Sequence, residues 1–224
     1  MAKLAIVGAG PQGRVILQAV RAGRAQFEEM AFFDDDVSKE GRVVGGVPVL
    51  GGVDRLFEMN DQDYSAAVAI GSNEARTRIA QKIRSAGIAM INVVHPAAIV
   101  MPDVVVGSGI LVCAGAVVVT GTAMGSDVVI NTGATVDHDC SIGAGAYVSP
   151  GVHTAGAVSI GAGTFIGAGA IIGPGVSIGE WCVVGAGSVV LENIPSHTFA
   201  HGTPARSVCE VSQPIPWSRL LGGR

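Results

Sequence analysis

The stretch Asn131-Thr132-Gly133-Ala134-Thr135-Val136-Asp137-His138-Asp139-Cys140 sets an imidazole between two carboxylates. A histidine titrates near neutral pH, and a carboxylate beside it can fix its tautomer and raise its basicity. That is the equipment of a general base, with Asp139 the better-placed orienting group and Asp137 the lesser one. The same three residues could equally be a surface histidine among solvated acids. A second set lies near the N-terminus, where Gly8-Ala9-Gly10-Pro11-Gln12-Gly13 precedes a helical pattern and Asp34-Asp35-Asp36 follows the next apolar run. Such a glycine loop can offer backbone N–H groups at Gly8, Gly10, Gln12 and Gly13 to phosphates, and with Asp34 twenty-one residues after Gly13 it matches a dinucleotide fingerprint. Taken alone, it suggests a dinucleotide enzyme. A third pair, Asn73 and Arg76, opens a later helix. It could meet a pyrophosphate or sugar, or be a helix cap with a solvated arginine.

Two regions with different periods must position these groups. Residues 1–93 alternate strand and helix, with strands at Leu4–Val7, Met30–Phe33, Ala66–Ile70 and Met90–Val94. Helices are expected from about Pro11 to Arg24, Val53 to Met59 and Glu74 to Ala86. Short links between them predict a small Rossmann-like parallel sheet covered by helices. It is too short to hold a second nucleotide-binding half, which weakens the dinucleotide reading.

From Val100 the period becomes six. Every sixth residue from Val100 to Val190 is aliphatic or Met except Thr154, and the position four further on is always small or aliphatic. A helix or a single strand cannot produce this pattern, but a solenoid can. Three hexads make one triangular coil with the aliphatic residue pointing inward, and coils stack at about 4.8 Å. Residues eighteen apart then share a column, so His138 sits at a corner directly below Gly156. A glycine there leaves its N–H open to a ligand.

Composition narrows the function. Of 224 residues 49% are apolar and 14% charged, which is globular rather than disordered. The net charge of −4 gives no electrostatic case for nucleic acid. Mean hydropathy is high, at +0.50, yet no apolar run approaches the roughly 20 residues of a spanning helix. The N-terminus lacks the pattern of a secretory signal, so a cytoplasmic protein without membrane insertion is expected. Four cysteines show no metal-ligand spacing, and Cys140 and Cys182 fall at small inward repeat positions. No metal is expected.

With these motifs in place, the chain resembles the hexapeptide-repeat acyltransferases. It looks specifically like their bacterial nucleotide 4-amino-sugar N-acetyltransferases and sialic acid O-acetyltransferases. The resemblance spans the glycine-loop domain, the repeats and the ending Gly202-Thr203-Pro204-Ala205-Arg206. It implies a left-handed parallel β-helix over residues 94–206 after a nucleotide-sugar-binding domain at 1–93, with a C-terminal tail at 207–224. It also implies a homotrimer with active sites between subunits, and acetyl-CoA as co-substrate. His138 would be the base, Gly156 N–H would bind the thioester carbonyl, and Gly202 and Arg206 would lie against coenzyme A. Relatives carry a second histidine nine residues after the base and often one in the glycine loop. Here Tyr147 and Pro11-Gln12 stand instead, and a phenol at the acetyl group can still donate a hydrogen bond. His153 and His201 read as structural or peripheral. The expected reaction is N-acetylation of a nucleotide-linked 4-amino-4,6-dideoxy sugar. A sugar hydroxyl acceptor or a non-catalytic binding protein are the alternatives, and the choice among UDP, GDP and dTDP stays open.

Overall fold

The computed structural model describes residues 3–23, 27–59 and 64–212. The N-terminal domain runs β1 (Lys3–Val7), α1 (Pro11–Ala22), β2 (Glu29–Phe33), β3 (Val43–Val44), β4 (Val47–Pro48), α2 (Val53–Glu58), β5 (Tyr64–Val68), α3 (Asn73–Ser85) and β6 (Ala89–Met90). Its four-stranded sheet has the order β2-β1-β5-β6 and is parallel throughout. Leu4 to Val7 are all buried, as a parallel strand covered on both faces requires. Pro11 starts α1, where its missing N–H costs nothing. Ser72 caps α3 by accepting from Ala75 N–H at 3.3 Å. The expected end of α1 at Arg24 lies outside the described residues.

The expected fourth strand, Met90 to Val94, is two strands in two sheets. Ala89–Met90 closes the N-terminal sheet, whereas Val93–Val94 pairs with Leu111–Val112 and belongs to the repeats. Val94 has the inward repeat position one hexad before Val100, so the solenoid begins earlier than the period alone suggests.

From Val93 to Val190 the chain is a parallel β-helix of two-residue strands joined by four-residue corners. The first face stacks Val93–Val94, Leu111–Val112, Val129–Ile130, Tyr147–Val148, Phe165–Ile166 and Val183–Val184. The second runs from Ile99–Val100 to Val189–Val190, and the third from Val105–Val106 to Ser177–Ile178. Partners are eighteen residues apart, as in Thr135 with His153 and Ser141 with Ser159. The inward residues form one continuous core from Val112 to Val190. Val106, 39% exposed, and half-buried Val100 depart from it because they belong to the first coil, which has no coil beneath. The tail is not separate at its start. Ala205–Glu210 pairs antiparallel with Thr198–Gly202 and extends the first face. Trp217 lies outside the described residues.

The N-terminal domain docks on the lower part of the first face. Leu4, Ile6, Ile16 and Phe32 share a core with the outward side chains Leu111, Val129 and Tyr147. Beside it, Arg84 of α3 makes a forked ion pair with Asp127, at 2.7 and 2.8 Å. No helix among the described residues is long and apolar enough to cross a membrane.

Candidate active site at a corner of the prism

His138 occupies the corner between the second and third faces. Two buried hydroxyls hold that corner from the coils on either side. Thr122, one coil below, donates to Asp137 C=O at 3.0 Å and accepts from Cys140 N–H at 3.3 Å. Thr154, one coil above, accepts from Asp137 N–H at 3.2 Å. This explains the one polar residue in the inward series: its hydroxyl ties down the corner's backbone.

On that support His138 Nδ1 lies 2.9 Å from Asp139 Oδ2. Asp137 Oδ1 accepts the backbone N–H of His138 at 2.7 Å and so orients the main chain rather than the ring. With Nδ1–H donated to Asp139, Nε2 carries the free lone pair. The Asp139 hydrogen bond, helped by the charge of Asp137, raises the imidazole's pKa above its ordinary value. The ring rests on Gly156, where a Cβ would come within 2.5 Å of Cε1 and Nε2. Any side chain at 156 would displace the base. Gly156 N–H donates to no acceptor among the described residues.

A cavity of about 720 Å³ opens on the upper part of the first face, beside Gly71 of the N-terminal domain. One wall is an outward column of Tyr147, Phe165 and Val183, and the other a corner column of Asn131, Ser149, Gly167 and Gly185. Tyr147 stacks on Phe165 with ring centroids 5.3 Å apart. Its hydroxyl accepts from Asn131 Nδ2 at 2.7 Å and donates to Gln12 Oε1 at 3.2 Å. The two departures from the resembling family are therefore in contact: the glycine-loop glutamine accepts the hydrogen bond of the phenol. Asn131 was not singled out from the sequence, and His201, read as peripheral, lines this cavity. The eighteen-residue columns carry the signal for both walls.

In the glycine loop, Gly8 has φ +108°, and a Cβ on Gly13 would collide with Gly8 C=O, so neither tolerates a side chain. Gly10 has open space around it. Asp34 accepts from Ala9 N–H at 2.7 Å and from Lys39 Nζ at 2.9 Å, closing the loop onto β2. Burial alone would raise the Asp34 pKa, but Lys39 and the backbone N–H donors of Ala9 and Asp36 outweigh it and lower it. Asp35 accepts from Val53 N–H at 2.8 Å, at the start of α2.

Asn73 and Arg76 are not placed as a solvated helix start. Both are buried, with Arg76 only 2% exposed. Arg76 donates to the carbonyls of Ile70, Asp127 and Gly145 and to Asn73 Oδ1. Asn73 Nδ2 donates to the carbonyls of Gly163 and Thr164. These side chains fasten α3 to the prism by donating to corner carbonyls from which water is excluded. Burial pulls the Arg76 guanidinium down to about 10, against the opposing influence of Tyr147 and Asp127, so it stays cationic at neutral pH.

Among the remaining expected residues, Gly202 (φ +108°) donates its N–H to Ser188 Oγ at 3.2 Å. Arg206 is largely exposed and lies 3.6 Å from Glu192. His153 Nδ1 is 2.8 Å from Thr135 Oγ1 on the second face. Cys113, Cys140 and Cys182 are buried and free, and no metal-binding group occurs among the described residues.

A hexapeptide prism with a carboxylate-backed imidazole at one corner, joined to a glycine-loop domain, defines an acyltransferase of the hexapeptide-repeat class. Comparison with known proteins supports this and narrows it. Residues 3–83 match the PglD N-terminal domain family, and residues 157–192 match the bacterial transferase hexapeptide (six repeats). The acetyltransferase domain of PglB from Neisseria gonorrhoeae is 35% identical over 93% of this chain and 100% of its own, with a TM-score of 0.88. That domain is also known in complex with acetyl coenzyme A. PerB from Caulobacter crescentus, in complex with CoA and GDP-perosamine, is 37% identical over 93% of this chain and 98% of its own, with a TM-score of 0.87. No curated protein sequence matches the chain. The chain belongs to the hexapeptide-repeat family of nucleotide amino-sugar N-acetyltransferases.

Proposed function

We propose that this protein transfers the acetyl group of acetyl-CoA to the amine of a nucleotide-linked 4-amino-4,6-dideoxy sugar, with His138 as general base. The observation that carries this reading is the pairing of His138 Nδ1 with Asp139 while Nε2 lies against Gly156 and its open N–H. The neutral amine attacks the thioester carbonyl, and Nε2 takes the proton that the new C–N bond makes acidic. Gly156 N–H donates to the tetrahedral oxyanion. As the C–S bond breaks, the imidazolium returns its proton to the CoA thiolate, leaving amide, thiol and neutral histidine.

The nucleotide falls to the glycine loop, with its phosphates on the N–H groups at the start of α1 and Asp34 or Asp35 toward base or ribose. Arg206 and Gly202 lie toward coenzyme A, and Tyr147 faces the acetyl group. The cavity lies on the first face, whereas His138 stands at the corner between the other two. One chain therefore does not bring base and cavity together, which favours a homotrimer in which the corner of one subunit faces the cavity of the next. A cytoplasmic setting agrees with the free cysteines.

The test is release of CoA, read with a thiol reagent, from acetyl-CoA and a panel of UDP-, GDP- and dTDP-linked 4-amino sugars beside their 4-hydroxy counterparts. Turnover with one or more amino sugars is expected. Turnover confined to hydroxyl acceptors would replace the amine reading, and light scattering that reports a monomer at micromolar concentration would overturn the shared site.

A further inference from the structure

The corner that carries His138 needs a second bare Cα, one column over and one coil down. Asp139 has a left-handed backbone, φ +57°, and its carboxylate turns down over Gly121, eighteen residues earlier. A Cβ on Gly121 would collide with Asp139 Oδ1, while Oδ2 of the same carboxylate holds His138 Nδ1. The positive φ of Gly121, +71°, does not by itself explain the glycine. Ala157 occupies the same column two coils higher with φ +57°, so this corner accepts a Cβ where the residue one coil above is a glycine, Gly175, and not an aspartate. Gly121 is also fixed from below, because Asp103 accepts its N–H at 2.9 Å and the hydroxyl of Thr120.

We infer that Gly121, clamped by Asp103, is a positioning residue for the Asp139–His138 pair: its missing side chain leaves the space in which the carboxylate turns to the imidazole. The charged groups around His138 are Asp137 and Asp139 of its own corner. The coil above presents Gly156 and the coil below Thr120, and neither titrates. The inference rests on the reading of His138 as base for its catalytic consequence, though not for its geometry.

The experiment is Gly121→Ala, with the His138 titration followed by NMR and with kcat and KM measured over pH. The carboxylate displaced by the new methyl should let the His138 pKa fall toward its ordinary value, and turnover should fall about tenfold, as for loss of a ring-orienting partner. The KM for acetyl-CoA should hold. Gly133→Ala is the matched control, since Gly133 has φ +65° with open space around it, and it should leave the titration in place. An unchanged His138 titration in Gly121→Ala overturns the inference whatever the activity does, whereas an active His138→Ala enzyme sinks only the base. If Gly121→Ala does not fold, the Gly121→Ala, Asp139→Ala double variant decides the matter. Recovery of folding supports a collision with Asp139, and failure to recover refutes it.

Discussion

Asp127 and Asp139 stand at different corners of the same prism and use the same backbone device. Each has a left-handed backbone, with φ of 61° and 57°, and each sets its carboxylate over a glycine eighteen residues earlier, Gly109 and Gly121. Their environments differ in one respect: α3 covers the first corner, and no element among the described residues covers the second. Under α3, Asp127 is 5% exposed and forked to Arg84, while its own carbonyl accepts from Arg76. In the open, Asp139 holds an exposed imidazole and leaves Nε2 free. A repeat thus supplies identical sockets, and the cover decides which becomes a fastening and which can do chemistry. The covered socket uses its carboxylate as a fastening, and the open one keeps its proton acceptor accessible.

The comparison breaks most sharply at the open corner. His138→Ala should lower turnover by about 10²–10⁴-fold, the range of general acid–base catalysis, with acetyl-CoA affinity nearly unchanged. Steady-state kinetics and a CoA-binding titration check both parts, and near wild-type turnover would end the open corner's catalytic role. At the covered corner, Arg76→Met should cost stability rather than chemistry. It strands carbonyls of Asp127, Gly145 and Ile70, at about 1–3 kcal/mol for each left unsatisfied. A shift in denaturant midpoint equivalent to roughly 3 kcal/mol is expected, and a variant as stable as the parent would show that the fastening lies elsewhere.

Asp139→Asn sharpens the contrast by keeping the shape and removing the charge. Turnover should fall about 10–100-fold, less than for His138→Ala, because the base remains. The sign of the pH effect is fixed. Since Asp139 raises the His138 pKa, the wild-type limb of kcat/KM should rise with pH through a value above the usual 6.5, where the imidazole loses its proton. In Asp139→Asn that limb should move to lower pH, and a shift to higher pH would contradict the assigned hydrogen bond. In linkage terms, the raised pKa makes the protonated His138 pair a stabilising contact below the usual value that is lost as pH rises through the folded one. The smallest effect is expected from Arg84→Gln, about 1 kcal/mol of stability. Its side chain is still 32% exposed, so solvent screens the pair with Asp127. Chemical denaturation measures it, and a loss as large as that from Arg76→Met would reverse the ranking of the two fastenings.

The sequence by itself determined the prism, its register and the column that places His138 against Gly156. A period of six with no insertion leaves one way to bury every aliphatic side chain, and position along the chain then maps directly onto columns. It also carried the strand–loop–helix start of the N-terminal domain, because glycines and Pro11 act on their own backbone. Tertiary structure alone decided what faces each corner. Asn73 and Arg76 look like ligand-binding residues at a helix start, yet the carbonyls they satisfy lie between 51 and 91 residues away, apart from the local Ile70. Gln12 and Tyr147 meet across 135 residues for the same reason. Local spacing encodes which way a side chain points from its own backbone; what it meets there depends on the docking of a domain whose period is different.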